Sequence, residues 1–267
     1  MPPAATPTDW RARLAEAVGT LGAVRPLGGG AWAVEAGGRA LVAKSGPGAR
    51  DEADGLRRLG GVSAGPPVPE VVFADDDLVV TVAVERVART PAHEESLGRA
   101  LATLHGTRLE QWGGGSSWIG ACRVDASTGP DGAAFYGARL AELAARCGLG
   151  ELVGGVVTRL PQLLPAGGPS LVHGDLWWGN VLFGADGRAW LIDPSVHGGH
   201  PEEDLAMLGL FGLVPDRLRA AYQELAPLQP GWEDRVALFQ LYPLLVHTVL
   251  FGGGYRAQAE GVAQRFS

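Results

Sequence analysis

The segment LVHGDLWWGNVLFGADGRAWLID, residues 171–193, carries two aspartates, Asp175 and Asp193, and an asparagine, Asn180. Each aspartate stands close to an apolar run. Val181-Leu182-Phe183 and Trp190-Leu191-Ile192 read as short buried strands. An acid beside such a run is costly unless it is paired, hydrogen-bonded or bound to a metal. These residue types suggest a use. One carboxylate can take the proton of a hydroxyl, while a second carboxylate and an amide oxygen can hold a hard cation such as Mg²⁺. Transfer of a phosphoryl group needs such parts, because the hydroxyl must lie in line with a phosphate whose charge is neutralised.

The spacing sharpens this reading. His173, Asp175 and Asn180 fit H-x-D-x-x-x-x-N, the form of a kinase catalytic loop, and a strand, an Asp186-Gly187 turn and a second strand then lead to Asp193. A turn aspartate, a capping asparagine and a strand-end aspartate could coincide. Four positions in register around a hairpin argue against coincidence. Upstream, Gly28, Gly29 and Gly30 precede a hairpin and could lie over phosphates. Lys44 closes the apolar run ALVAK, and Glu52 begins the next helix, where it could pair with Lys44. Taken singly, these are a flexible turn and two solvated charges. With the loop downstream they become the phosphate-binding half of the same machine.

The elements that must position these residues divide into two sets. Thr8 is suited to cap a helix with Trp10, Leu14 and Val18 on one face. Alternating segments at 31–35 and 40–44 flank Gly37-Gly38, a hairpin signal. DEADGLRRLGG reads as a helix with Ala53, Leu56 and Leu59 inward, stopped by Pro66, Pro67 and Pro69. EVVFADDDLVVTVAVERV reads as strand, acidic turn, strand. From about Ser96 the period becomes helical, in SLGRALATLHG, GAAFYGARLAELAARCG, VVTRLPQLL, EEDLAMLGLFG, DRLRAAYQELA and WEDRVALFQLYPLLVHTVLF. Pro243 should kink or restart the last of these. WGGGSSWIG reads as a loop. The expectation is an α+β fold of two lobes. Residues 1–84 would form a small antiparallel-sheet lobe that binds nucleotide. Residues 85–267 would form a larger helical lobe with the catalytic loop and acceptor site.

Composition limits the alternatives. Hydrophobic residues make up 46% of the 267, which argues for a folded globular protein. Net charge is -7 with no Lys/Arg run, so nucleic acid is not an expected partner. No apolar stretch reaches membrane-spanning length and the start lacks a signal segment, so the expected location is cytoplasmic, without a membrane partner. Cys122 and Cys147 lack a disulfide or redox spacing and are expected to be inert. His197 and His200 form H-x-x-H, too few ligands for a zinc site. His105 and His247 sit in apolar helical stretches and read as hydrogen-bonded packing residues.

Beyond spacing, the sequence resembles the fructosamine kinase family, in the aminoglycoside-phosphotransferase-like branch of the protein-kinase-like fold. The resemblance lies in HGDLWWGNV, IDPSVHGGHPEEDLAM, LYPLLVHTVLFGGGY and EADGLRRL, and extends over nearly the whole chain. It implies ATP-dependent phosphorylation of the 3-hydroxyl of a ketoamine, a fructosamine or ribulosamine, small or protein-bound. The unstable phosphate then leads to release of the amine. It also implies roles. Asp175 would be the base, with Asn180 and Asp193 holding Mg²⁺. Lys44 would contact the ATP phosphates, oriented by Glu52 and covered by Gly28, Gly29 and Gly30. Thr81 and Ala83 would meet adenine through the backbone. His173 and Asp204 would support the catalytic loop, and Trp177, His197 and Tyr255 would wall the acceptor. The chain departs from the family pattern at Thr81, where an acid is usual, at His197-Gly198, where paired tyrosines are usual, and at Trp178, where serine is usual. The last two changes are expected near the acceptor. Two other readings remain open: a phosphotransferase of the same fold acting on an aminoglycoside, choline or another sugar, and a pseudokinase, which would be expected to lack Asp175, Asn180 or Asp193.

Overall fold

The structure is a computed structural model, and it describes residues 9–267. The expected cap Thr8 lies outside the described residues. The chain begins with α1 (Asp9–Val18), β1 (Leu21–Gly28), β2 (Ala31–Ala36), β3 (Arg39–Ser45), α2 (Ala49–Gly60), β4 (Val71–Ala74) and β5 (Leu78–Val82). The five strands form one antiparallel sheet in the order β1-β2-β3-β5-β4. The β2–β3 turn is Gly37-Gly38, both with positive φ, as a tight hairpin requires. Trp10 and Leu14 of α1 pack on one side of the sheet with Val34, Leu41, Leu78 and Val80. Ala49 and Ala53 of α2 pack with Val79. β1 escapes sequence reading because it is a mostly exposed edge strand containing Pro26, with no period to detect.

The helical half follows: α3 (Pro91–His105), four two-residue strands β6 (Trp112–Gly113), β7 (Trp118–Ile119), β8 (Cys122–Arg123) and β9 (Thr128–Gly129), then α4 (Gly132–Cys147) and α5 (Gly150–Leu163). Next come β10 (Ser170–Val172), a 3-10 turn (Trp178–Asn180), the hairpin β11 (Val181–Phe183) and β12 (Ala189–Leu191), and β13 (His197–Gly199). The chain closes with α6 (Pro201–Leu208), α7 (Asp216–Gln223), α8 (Trp232–Phe251) and α9 (Gly254–Phe266). One apolar cluster joins α4, α5, α8 and α9. Another joins α3, α6 and α7 to the β11–β12 hairpin, so the segment that carries Asp175 and Asn180 is mounted on buried leucines. Among the described residues no helix is long and apolar enough to cross a membrane.

Two differences from expectation have physical causes. α9 gave no signal because its inward face is largely the small residues Ala259 and Ala263 before Phe266. α8 runs through Pro243 as one helix. A proline withholds the N–H that would bond the carbonyl one turn earlier, here that of Phe239. The buried Tyr136 hydroxyl supplies the missing donor, 3.2 Å from the Phe239 oxygen and 3.1 Å from that of Leu238. Tyr136→Phe should therefore lower the unfolding free energy by about 1–3 kcal/mol, since it leaves the buried Phe239 carbonyl unsatisfied. Urea titration of the variant against the parent checks this, and an unchanged midpoint would contradict it.

Candidate active site

β10 delivers the chain to Gly174, whose φ is +82° and where a Cβ would lie 2.0 Å from the Ser195 carbonyl oxygen. A side chain cannot fit there, so the loop closes tightly against the segment after Asp193. A buried carboxylate then fixes this loop. Asp204, in the first turn of α6, accepts the backbone N–H groups of His173 (2.7 Å) and Gly174 (2.9 Å). It also accepts His105 Nε2–H at 3.1 Å, and the Tyr222 hydroxyl donates to the other nitrogen of that ring at 2.9 Å. Burial would raise the Asp204 carboxyl, but these donors hold it below its ordinary value. His105 is thus the hydrogen-bonded packing residue that its apolar helical setting suggested. His173 Nε2–H donates to the Ile192 carbonyl at 3.0 Å and ties the loop to the end of β12. Burial lowers its pKa and keeps the ring neutral.

Asp175 and Asn180 follow in the loop. The Asn180 amide nitrogen donates to the Asp175 carbonyl (2.8 Å) and to its carboxylate (3.2 Å). With both of those bonds made by nitrogen, the amide oxygen is left for the cleft. Asp193 sits at φ +53°, a left-handed conformation that strains most residues and that aspartate tolerates better than most. Its carboxylate lies 3.0 Å from Lys44 Nζ, which also meets Glu52 at 2.7 Å. Lys44 from β3, Glu52 from α2 and Asp193 after β12 therefore meet at one ammonium. Burial alone would lower the Lys44 pKa, but the two carboxylates hold it above its ordinary value. Burial pushes Asp175 up to about 7, with the Asp193 charge adding to the rise.

These groups face one cavity of about 360 Å³ between the sheet and the helical half. Gly29, Lys44, Glu52, Asp175, Trp177, Asn180 and Asp193 line it. Gly29 and Gly30 form the β1–β2 turn after Gly28 ends β1, and all three have positive φ. A carboxylate and a free amide oxygen, beside an ammonium and a glycine turn, fit a hard cation whose other ligands are phosphate oxygens and water.

Other expected contacts are not brought there. Thr81 is buried in the sheet opposite Val42 and Val71, and Ala83 donates its N–H to the Ala40 carbonyl at 2.9 Å, so neither lines the cavity. Continued β3–β5 pairing takes the group expected to meet adenine. His197 is buried in β13. Its Nδ1 donates to the Ser195 carbonyl (2.9 Å), and its Nε2 accepts from Arg139 (2.8 Å), close to Glu203. It is a support and does not wall the cavity. Trp178 also points elsewhere, with the Arg89 guanidinium 3.9 Å over its ring. Tyr255 instead joins an aromatic basin at the rim with Phe211, His247 and Phe251, and Trp177 meets Phe211 at 6.0 Å. His247 and Asp175 share a small void beneath. Sequence reading missed the β7–β8 hairpin. Ser116, Trp118 and Ile119 line the main cavity, and the only signal was an aromatic residue within a Gly/Ser run.

Fold and site together define an ATP-dependent phosphotransferase of the two-lobed, protein-kinase-like class. The fructosamine kinase profile matches residues 48–266, and the chain belongs to that family. A Thermus thermophilus relative, provisionally named a ketoamine kinase, is 37% identical over 209 residues, 77% of this chain and 78% of that one. The match to an Enterococcus faecium relative of the same provisional name is 44% over 98 residues, 37% of this chain and only 35% of that protein's length. A solved Thermobifida fusca structure, provisionally named a fructosamine-3-kinase, is 37% identical with a TM-score of 0.86, covering 95% of this chain and 96% of the other. The streptomycin–ATP complex of the aminoglycoside phosphotransferase APH(2")-IIa shares the fold at a TM-score of 0.68 and 16% identity, covering 98% of this chain and 97% of that one.

The raised Asp175 pKa has a consequence for stability. Folding favours its protonated form, so its contribution is fully present below its ordinary 3.8 and is lost as pH rises through about 7. Asp175→Asn removes the titration. The variant should melt above the parent at pH 8, and the gain should vanish below pH 4. Calorimetry across that range checks this; an equal gain at both ends would point to another cause.

Proposed function

We propose that this chain phosphorylates the 3-hydroxyl of a ketoamine, a fructosamine or ribulosamine, and so initiates its deglycation. One observation carries the reading: Asp175, the Lys44–Asp193 pair and the exposed Trp177 ring all line one cavity. The phosphoryl donor and a ring-stacked acceptor can then meet across one carboxylate. In this reading residues 1–84 hold the nucleotide and residues 85–267 the acceptor.

Asp175 accepts the proton of the 3-hydroxyl as the oxygen bonds the γ-phosphorus and the bond to ADP breaks. A carboxyl raised to about 7 suits a base working near neutrality. Lys44 holds the α- and β-phosphates, and Glu52 orients it. The Asn180 and Asp193 oxygens would hold Mg²⁺. Bound there, the ion supplies neutralisation of the phosphate charge. The glycine turn lies over the phosphates, and Asp204 and His173 keep the loop backbone still. Trp177 and the rim basin with Tyr255 offer faces to the sugar and to a cationic amine. The product carries phosphate on C3 beside the ketone. Enolisation toward C1 lets the phosphate leave, and hydrolysis of the resulting imine frees the amine.

Purified protein with Mg-ATP and a fructosamine or ribulosamine should form ADP and release free amine. ADP formation only with an aminoglycoside or choline would overturn the ketoamine assignment. Binding of ATP with no acceptor turned over would favour a pseudokinase. Asp175→Asn should cut kcat by about 10²–10⁴-fold with Mg-ATP affinity retained. Asp193→Ala should abolish the Mg²⁺ dependence of nucleotide binding, measured by calorimetry with and without the metal.

A further inference from the structure

The β7–β8 hairpin and its flanks, residues 116–124, bridge the two halves of the molecule. At one end the Ser116 N–H donates to the Val196 carbonyl (3.1 Å) and the Ser195 hydroxyl donates to the Trp118 carbonyl (3.1 Å). These bonds fix the hairpin to the segment just after Asp193. At the other end the Ser117 N–H donates to the Asp51 carboxylate at 2.7 Å. Asp51 lies in the first turn of α2, next to Glu52. Trp118 covers the start of that helix so closely that a Cβ on Gly48 would lie 2.8 Å from the Trp118 Cβ. The inner face of α2 also rests on the same segment, since a Cβ on Gly55 would lie 3.0 Å from Pro194 and 3.2 Å from Val196.

Glu52 can hold Lys44 only while α2 stays in this seat. The ion pair fixes one point of the helix, the Glu52 carboxylate 2.7 Å from Lys44. A bond from the adjacent residue to the opposite half supplies the second point that stops the helix from swinging. We propose that Asp51 is a positioning residue: through Ser117 it straps α2 to the Asp193 segment and keeps Glu52 on Lys44 before any ligand binds. Its position at a helix N-terminus would give any acid there a modest dipole benefit. That benefit does not account for a short bond to a hairpin distant in sequence.

The inference rests on the phosphotransferase reading only for what Lys44 grips, so its test uses Mg-ADP and no acceptor. Binding is measured by calorimetry for the parent, Asp51→Ala, Asp51→Asn, Glu52→Gln and Asp51→Ala/Glu52→Gln, with hydrogen exchange of the α2 amides alongside. Asp51→Ala should weaken Mg-ADP about ten-fold and speed exchange in the first turns of α2. Asp51→Asn, which keeps the acceptor oxygen and loses the charge, should recover most of the affinity. In the Glu52→Gln background Asp51→Ala should change affinity little, because the residue acts through Glu52. An equal loss in both backgrounds, or no loss in the parent, overturns the proposal even where the melting temperature falls. If Asp51→Ala does not fold, Asp51→Ser, too short to reach Ser117, takes its place with the same expected readings. Absence of turnover with every ketoamine would count against the acceptor assignment and leave these measurements to decide the strap.

Discussion

One ammonium group ties the molecule together. Lys44 Nζ stands 2.7 Å from Glu52 and 3.0 Å from Asp193, so a strand, a helix and the end of the catalytic hairpin are defined relative to a single charge. The arrangement is under-neutralised. Four carboxylates, those of Asp51, Glu52, Asp175 and Asp193, line the cavity with one lysine. Burial raises both Glu52 and Asp175 toward neutrality, and Asp193 adds to each rise. Such a cleft favours an incoming cation, which lowers the repulsion that the empty protein tolerates. The proposed metal ligands and the proposed base are thus linked electrostatically before any chemistry begins.

A second carboxylate is treated in the opposite way. Asp204 is buried, but it receives two backbone N–H groups and the His105 ring, and its pKa is lowered. It remains an anion because its donors are complete, and it cannot also serve a ligand. The contrast between Asp204 and Asp175 is a division of labour. A satisfied carboxylate makes a rigid mount, while a partly satisfied one stays reactive. The same division separates His173 and His197, whose ring nitrogens are both engaged by protein groups, from Trp177, which is 39% exposed at the rim.

The parts of the site legible in the sequence were polar residues at fixed spacing on short connected elements. Asp175, Asn180 and Asp193 belong to one loop and one hairpin, so chain geometry alone brings them together. Lys44 and Glu52 are separated by a single loop, and a strand-end lysine facing a helix acid has little freedom to go elsewhere. His197, Trp178 and Ala83 were misplaced for a common reason: which way a side chain or N–H points depends on partners distant in sequence. Arg139 from α4 draws His197 inward, Arg89 covers Trp178, and β3 extends its pairing to Ala83. The β7–β8 hairpin left only an aromatic residue within a Gly/Ser run as its trace, because strands of two residues have no period. Nor could the sequence reveal that a tyrosine on α4 repairs the carbonyl left by Pro243 on α8.

The cleft walls differ in how freely they could change. On the nucleotide side, Lys44, Glu52, the strap and the Asp193 segment constrain one another, so altering one member disturbs its neighbours. Beside Trp177 the rings stand at helix ends and loop positions: Phe211 after α6, Phe251 at the end of α8 and Tyr255 at the start of α9. Phe211 is 42% and Phe251 67% exposed, and each meets the Tyr255 ring. Replacing a ring there changes the surface offered to an acceptor without touching the bonds that Asp204 makes to the catalytic loop. Exposed aromatic clusters are unusual on a monomer unless something binds to them. In the proposed function, the bonded network holds the phosphoryl group, and a few rim residues are left to choose which hydroxyl compound reaches Asp175.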